Sequence, residues 1–275
     1  MTSPAFVRFV LSVDDASYDR AAAALLDLPT PGWQEADEGA TLVFWLAADM
    51  VDDPSLQQAL AELRELGRLR AVPERADWLT YWKRFHHAVH VGAVTVRPPW
   101  LPADPDALDV VIDVGLAFGT GSHATTRQCL AALQQVTPGS LLDVGTGSGV
   151  LSLVALRLGF APVHGCDVDH LALQAAEKNA RLNALNPHFF KADAGEPETE
   201  LPATDVAVVN VALNPIVAYG KRLQGEQDVA RPRDVLLAGL LKTQADEARA
   251  AYPGYAERRR AQEDEWVFLH LERRA

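Results

Sequence analysis

The chain has 275 residues, of which 48% are apolar and 23% are charged, a composition typical of globular proteins rather than disordered or fibrous ones. Its formal net charge of −12 disfavours a diffuse attraction to nucleic acid and favours a basic partner. No apolar run approaches the ~20 residues that span a bilayer, and the first residues lack the basic start of a secretory signal. We therefore expect a cytoplasmic protein with no membrane association.

The residues that commonly hold metals or form disulfides give no such signal here. Cys129 and Cys166 are the two cysteines, too few for a disulfide framework and not spaced as in a zinc site. The histidines at 86, 87 and 90 lack the Glu of a His-Glu-x-x-His helix and any third-ligand pattern. The sequence predicts buried free thiols and no metal.

The first 75 residues have the pattern of a separate small module. Residues 1–65 contain twelve acidic residues against three arginines, so most of the net negative charge lies here. The apolar spacing predicts, in chain order, a strand at 5–13, a helix at 17–28, a short strand near Trp33, a strand at 41–46, a helix at 54–66 and a strand at 68–72. This is the element order of the ferredoxin-like α+β fold. No catalytic constellation lies in the module.

A linker and a larger domain are predicted to follow. Residues 73–77 mark a boundary, and Trp78, Tyr81, Trp82 and Phe85 have the spacing of a helix. From Ser140 onward strands and helices alternate, which predicts an α/β, doubly wound sheet with helices on both faces. The predicted strands are 109–114, 140–144, 162–167, 189–192, 205–209, 234–238 and 266–273. The predicted helices are 149–158, 172–182, one after Pro215 and one after Lys242.

The sharpest local signal is Leu-Leu-Asp-Val-Gly-Thr-Gly-Ser-Gly at 141–149, where a strand enters a glycine-rich loop that opens a helix. Gly145, Gly147 and Gly149 allow the backbone to approach a ligand closely. The spacing departs from the G-x-G-x-x-G of dinucleotide sites, and Asp143 would repel a pyrophosphate. A cationic ligand suits this charge, and S-adenosylmethionine carries a sulfonium and an ammonium group.

Two strand-end carboxylates extend this signal. Asp167 ends the next strand and can accept hydrogen bonds from both hydroxyls of a ribose. Asp193 follows the third strand, in a position to contact the adenine edge or the ribose. In this order the three features indicate an S-adenosylmethionine site. The loop spacing disfavours a nicotinamide dehydrogenase, whereas a protein that binds S-adenosylmethionine without catalysis stays open.

A second block, Gly-Leu-Ala-Phe-Gly-Thr-Gly-Ser-His-Ala-Thr-Thr at 115–126, precedes a helix, and its amides and hydroxyls could close over a cofactor. With other motifs it resembles the ribosomal protein lysine methyltransferase family that modifies the eleventh protein of the large subunit. Those motifs are Trp78 with Trp82-Lys-Arg-Phe85, Pro98-Pro-Trp100, the 145–149 loop, Asn210, Gly239-Leu-Leu241 and Glu265-Trp-Val267. The resemblance runs from about Trp78 to the C-terminus.

The resemblance implies a substrate-recognition domain at 1–75, a flexible linker helix at 76–87 and a Rossmann-like class I methyltransferase domain at 88–275. It implies methylation of several amines, lysines and N-terminal amines among them, on one basic ribosomal protein, with no direct contact to nucleic acid. We expect a monomer. Loop chemistry and motif position together assign cofactor binding to Gly121, Thr125, Thr126, Asp143, Gly145, Gly147, Asp167, Asp193 and Asn210.

Two residues are candidates for the catalytic step. Asn210 ends the fourth strand and could orient the substrate amine; the alternative is a strand-end residue that satisfies a turn. His123 could be an oriented contact or a proton acceptor, and we favour the contact.

Two departures from the family pattern lie near these residues. Val114 replaces the usual proline before the 115–126 block. Val211-Ala212 replaces Ile-Leu after Asn210, which could alter the amine pocket.

An alternative function is methylation of another protein or of a nucleic acid amino group. A nucleic acid enzyme would want Asn-Pro-Pro-aromatic after this strand, which the sequence lacks.

Overall fold

The structure is a computed structural model, in which the chain forms two units, residues 1–86 and 87–275. The structure describes residues 6–14, 17–26, 28, 30, 33–35, 40–48, 50–73, 87–113, 121–225 and 231–274. Of the predicted linker helix at 76–87, only His87 belongs to the described residues, so the four aromatic residues of that helix lie outside them. Within the described ranges, no helix has the length and apolar character needed to cross a membrane.

The first unit contains a four-stranded antiparallel sheet with the order β2-β3-β1-β4. Its elements are β1 (Phe6–Val13), α1 (Tyr18–Leu26), β2 (Trp33–Glu35), β3 (Thr41–Ala47), α2 (Pro54–Leu66) and β4 (Gly67–Pro73). The element order is the ferredoxin-like order that the apolar spacing predicts.

One face of this sheet packs on the helices. Phe9 and Phe44 are paired in register on β1 and β3, and their rings stack with centroids 5.2 Å apart. They belong to a buried core with Leu56, Leu60 and Leu63 of α2. Because strand side chains alternate between faces, the residues between the core positions face the other way.

The charge of this unit is divided between its two sides. Arg8 on β1 alternates with the core residue Phe9, and Arg68 and Arg70 pair with Ser12 and Val10 of the same strand, so all three arginines share the helix-free face. On the opposite side, α2 exposes Glu62 and Glu65 together with Arg64, so its described charge is negative by one. The acidic character predicted for the module therefore does not extend over its whole surface.

The second unit is built on a seven-stranded sheet with the order β10-β9-β8-β11-β12-β14-β13. Its first five strands are parallel, and β14 and β13 add antiparallel strands at one edge. The elements are α3 (Ala124–Leu133), β8 (Leu141–Val144), α4 (Val150–Arg157), β9 (Val163–Asp167), α5 (His170–Leu182), β10 (His188–Lys191), β11 (Val206–Asn210), α6 (Leu213–Arg222), β12 (Asp234–Leu241), α7 (Ala245–Ala250), β13 (Tyr255–Glu263) and β14 (Trp266–Arg273).

Both faces of this sheet are buried, as expected for parallel strands. Leu141 of β8 belongs to a core with residues of α3 and α4, and its neighbour Leu142 belongs to a core with residues of α6 and α7. The predicted doubly wound α/β architecture is confirmed. Cys129 and Cys166 are buried free thiols, as predicted, and burial raises the pKa of Cys166 to about 12.

Three strands were not predicted. β5 (Val89–Val91) and β6 (Val94–Arg97) form a small sheet with β7 (Leu108–Val111). β13 has four consecutive exposed charged residues at 257–260, so it lacks the apolar alternation that marks a strand. Among the described strands it pairs with β14 alone, at the edge of the sheet, and backbone hydrogen bonds suffice to hold it.

At the amino-terminal end of β12, a buried carboxylate should contribute to stability. Asp234 is 6% exposed, its Oδ1 lies 2.7 Å from His270 Nε2, and Arg233 Nε donates to its Oδ2 at 2.7 Å. Burial alone would raise the pKa of Asp234, but the hydrogen bonds from His270 and Arg233 outweigh it and hold the pKa below its ordinary value.

We expect Asp234→Asn to lower the free energy of unfolding by about 1–3 kcal/mol at pH 7. A depressed pKa stabilises the fold above the unfolded-state value, so the difference from the parent should shrink as the pH falls below about 4. Urea unfolding at pH 7 and pH 3 measures this. Asp246→Asn, at a carboxylate that is 89% exposed, is the control and should change little. A pH-independent difference would contradict the expectation.

Candidate active site

A cavity of about 910 Å³ lies at the carboxyl ends of the parallel strands, where ligands bind in sheets of this type. It is lined by the loop after β8, the ends of β9 and β10, the start of α6 and one side of α5. Four of the predicted cofactor residues line it, namely Gly145, Gly147, Asp167 and Asp193.

The glycine loop lies across the ends of the neighbouring strands. Gly145 and Thr146 donate their amides to the carbonyl of Cys166 at 2.9 and 3.0 Å. Gly145 has φ +71°, and a Cβ there would lie 2.1 Å from Val211 Cγ1. Only glycine fits both the backbone conformation and this contact, so the loop is held close to the end of β11.

Asp143 lies behind the loop and does not line the cavity. It is fully buried, and its Oδ2 accepts from Thr146 Oγ1 and Ser152 Oγ, both at 2.7 Å, and from the Ser152 amide at 3.2 Å. Burial raises its pKa to about 6 against the opposing effect of these hydrogen bonds. In this position Asp143 fixes the loop to the start of α4, and its predicted part in cofactor binding stays a prediction.

Asp167 joins the end of β9 to the loop. Its Oδ2 accepts from the Gly147 amide at 2.9 Å and its Oδ1 from the Asp169 amide at 3.0 Å. A carboxylate offers about four acceptor positions, so each oxygen retains capacity toward the cavity. Both bonds fix the direction of the carboxylate before any ligand arrives.

The 115–126 block is described only from Gly121 onward, and residues 115–120 lie outside the described part. His123 caps α3 by accepting from the Thr125 amide, and its Nδ1 lies 2.8 Å from Thr125 Oγ1. Its ring packs edge-on against Trp266, centroids 4.9 Å apart. Trp266 pairs with the last residue of β12. The start of α3, which lies within the 115–126 block, is therefore at the carboxyl edge of the sheet.

The remaining residues of the block take different positions. Thr125 and Thr126 are buried, and Gly121, with φ +86°, packs on Val96. Gly121, His123, Thr125 and Thr126 are not in the described lining of the cavity. Because capping uses Nδ1 of His123, its arrangement suits a structural contact better than a base, and its role stays a prediction.

Asn210 is the last residue of β11 and is half-buried. Its neighbour Val211 lines the cavity and is packed between two glycines, because a Cβ at Gly239 would lie 2.3 Å from the Val211 carbonyl oxygen. Among the described residues no hydrogen bond to the Asn210 side chain is formed. Asn210 is thus a rigidly placed backbone position with an available amide group.

The asparagines of α5 were not predicted as functional residues. Asn179 is 1% exposed; it donates to the Ser148 carbonyl and accepts from the Asp113 amide, both at 2.9 Å. Asn183 bonds to both backbone groups of Val111. Two amides one turn apart on an otherwise Ala- and Leu-rich inner face were the available signal. They hold the glycine loop and the strand that precedes the 115–126 block.

Two exposed apolar side chains at the cavity were also missed. Val168 and Leu171 line it and are 59% and 63% exposed. They belong to the Asp-Val-Asp-His-Leu segment at the end of β9.

The structure also bears on metal binding. In the part of the chain that is described, no three His, Cys, Asp or Glu side chains are placed to hold a metal ion. Of the histidines at 86, 87 and 90, His90 has its Nδ1 2.9 Å from Thr95 Oγ1.

In comparisons with known proteins, this chain aligns over nearly its full length with two relatives. It is 34% identical over 275 residues to a ribosomal protein L11 methyltransferase of Polynucleobacter necessarius, covering 94% of this chain and 78% of the relative. The corresponding protein of Burkholderia lata is 36% identical over 279 residues, covering 96% and 89%. A ribosomal protein L11 methylase structure from Lactobacillus delbrueckii has the same fold, with a TM-score of 0.61 and 23% identity over 70% of this chain and all of the other.

A model of one protein family matches residues 44–274, and that family is described as ribosomal protein L11 methyltransferase. The match includes the glycine loop, both strand-end carboxylates, Asn210 and the described part of the 115–126 block. The chain therefore belongs to the ribosomal protein L11 methyltransferase family.

Proposed function

We propose that the chain transfers methyl groups from S-adenosylmethionine to amines of ribosomal protein L11, on lysine side chains and the N-terminus. The observation that carries this proposal is the arrangement of the Gly145–Gly147 loop, the Asp167 carboxylate and Asn210 at one carboxyl edge. The names of the relatives indicate the acceptor. Such a substrate would place the protein in the cytoplasm.

The residues at the cavity fit this cofactor. The loop at Gly145 and Gly147 leaves no side chain between the backbone and a ligand, which suits the aminoacid portion of S-adenosylmethionine. Asp167, aimed by the Gly147 and Asp169 amides, has acceptor capacity for the two ribose hydroxyls. Val168 and Leu171 offer apolar surface in the same cavity, and we assign Asp193, which also lines it, to the adenine edge.

When bound, S-adenosylmethionine supplies an electrophilic methyl group on a good leaving group. The chain then needs to align a neutral amine rather than to provide a strong base. Lysine, with a pKa of ~10.4, must lose its proton to react. We assign Asn210 to orient the amine through its side-chain carbonyl oxygen, because Val211 fixes its backbone against the glycine loop. His123 holds the start of α3.

Incorporation of radiolabelled methyl groups tests the proposal. Purified chain is mixed with labelled S-adenosylmethionine and, in separate reactions, with ribosomal protein L11, a second basic ribosomal protein and ribosomal RNA. We expect label in L11 only, and mass spectrometry should locate it on amines. Label in RNA alone would support the nucleic acid alternative, and binding of the cofactor without any label would support a non-catalytic protein.

We propose further that the first unit recognises the substrate and that its acidic α2 side attracts the basic protein. Glu62 and Glu65 are exposed there, whereas the helix-free face bears Arg8, Arg68 and Arg70. Long-range attraction raises the rate of encounter and is screened over ~8–10 Å near physiological salt.

Replacing Glu62 and Glu65 by Gln should therefore lower kcat/KM for L11 by about threefold at low salt, with little difference at high salt. The matched control replaces Arg68 and Arg70 by Gln on the opposite face and should not lower kcat/KM. Equal losses in both double variants, or a loss that persists at high salt, would contradict a role for charge on α2.

A further inference from the structure

The loop between β10 and β11 contributes to the cavity but has no regular structure of its own. Asp193, Ala194 and Gly195 line the cavity, and Asp193 Oδ1 accepts from the Gly195 amide at 2.9 Å. A loop with few internal bonds needs partners for its carbonyl groups. Contacts that fix residues 193–199 therefore also fix Asp193 at the cavity.

Those carbonyl groups are bound by one side chain from another element. Arg222, in the last turn of α6, donates from one terminal nitrogen to the carbonyls of Ala194 at 3.3 Å and Glu196 at 2.7 Å. Its other terminal nitrogen donates to the carbonyl of Thr199. The planar guanidinium thus bridges three carbonyl groups between residues 194 and 199, an arrangement that an ammonium group cannot reproduce.

A second contact joins the same loop to the same helix. A Cβ at Gly195 would lie 2.7 Å from Ala218 Cβ, so glycine at 195 allows the loop to lie directly on α6. Ala218 is one turn before Arg222 on that helix. α6 itself begins three residues after Asn210, so one rigid element carries the amine side of the site at its start and the cofactor side at its end.

We propose that Arg222 is a positioning residue that sets affinity for the cofactor by holding the 193–199 loop, and with it Asp193, against α6. The inference rests on the proposed function, because it takes S-adenosylmethionine as the ligand of the cavity. Arg222 does not line the cavity; it acts through the loop. Its loss should weaken cofactor binding while the rate of methyl transfer at saturating cofactor is retained.

The first test compares two arginine variants. Arg222→Lys keeps the positive charge but loses the guanidinium with its two terminal nitrogens. Arg249→Lys is the matched control, because Arg249 binds the carbonyls of Tyr252 and Tyr255 away from the cavity. Calorimetric titration with S-adenosylhomocysteine should show about tenfold weaker binding for Arg222→Lys and unchanged binding for Arg249→Lys. Turnover at saturating cofactor should stay within about twofold of the parent.

A second pair of variants moves the loop without altering the arginine. Gly195→Ala should weaken binding of S-adenosylhomocysteine, and adding Ala218→Gly should restore most of it by making room for the methyl group. Hydrogen exchange at the amides of residues 195–199 should rise in Arg222→Lys and Gly195→Ala, and fall back in the double variant.

The outcomes separate the inference from the proposed function. If the parent binds S-adenosylhomocysteine and Arg222→Lys and Gly195→Ala bind it equally well, the inference is wrong and the proposed function stands. Equal losses in Arg222→Lys and Arg249→Lys would also overturn it, because general destabilisation would then explain the result. A parent chain that does not bind S-adenosylhomocysteine would overturn the proposed function itself.

Discussion

Asp167→Ala is expected to weaken binding of S-adenosylmethionine by about 10- to 100-fold, because hydrogen bonds to a charged group contribute about 1.5–3 kcal/mol. The carboxylate is the proposed acceptor for the ribose hydroxyls, and its direction is set by the Gly147 and Asp169 amides. The substitution also releases the Gly147 amide, so the loop loses one of its anchors. Isothermal titration calorimetry measures the change.

The control for this prediction is Asp205→Ala. Asp205 is another carboxylate that accepts from a backbone amide, that of Ser140 at 2.9 Å, but it lies at the amino-terminal edge of the sheet, before β11. We expect unchanged cofactor affinity for that variant. Unchanged affinity in Asp167→Ala would remove Asp167 from the cofactor site.

Asn210→Ala is expected to slow single-turnover methyl transfer by about 10- to 100-fold at saturating cofactor and substrate. Misalignment of a reacting group by about 1 Å can cost about 100-fold in rate. The free energy of unfolding should change little, because no hydrogen bond to this side chain forms among the described residues. Rapid-quench measurement of labelled product, paired with urea unfolding, separates the two effects.

Asn214→Ala serves as the matched control, since Asn214 is an exposed asparagine in the first turn of α6. It should react at the parent rate. If Asn210→Ala also reacts at the parent rate, Asn210 is a strand-end residue that satisfies local structure and the amine is oriented by another group.

The position of the glycine loop and of Asp167 could be predicted from the sequence, whereas the surroundings of Asp143 could not. The loop's place after a parallel strand followed from the pattern, and Asp167 at the end of the next strand followed from the alternation of strands and helices. Asp143 was interpreted by its charge alone. It alternates with Leu142 and shares a face with Leu141, under α4, so its carboxylate meets the amide and hydroxyl of Ser152 instead of the cavity.

Other features depend on contacts between distant parts of the chain. Arg222 is 23 residues beyond the carbonyl of Thr199 that it binds, and Asn183 is 72 residues beyond Val111. Even where the sequence shows buried polar side chains, as at Asn179 and Asn183, it does not show which backbone groups of a distant segment they will bind. β13 was not predicted because its charged side chains lack the apolar alternation of a strand, although its backbone pairs with β14.

The same charges on β13 give the sheet a protected border. An outermost strand exposes a row of unpaired amide and carbonyl groups, which invites pairing with another molecule. Along residues 257–260 every side chain is charged and exposed, and Arg258 and Arg260 are engaged with Glu272 and Asp246. A second chain that added a strand here would have to bury those ions, so this border resists aggregation although β8, β11 and β12 of the same sheet are rich in valine and leucine.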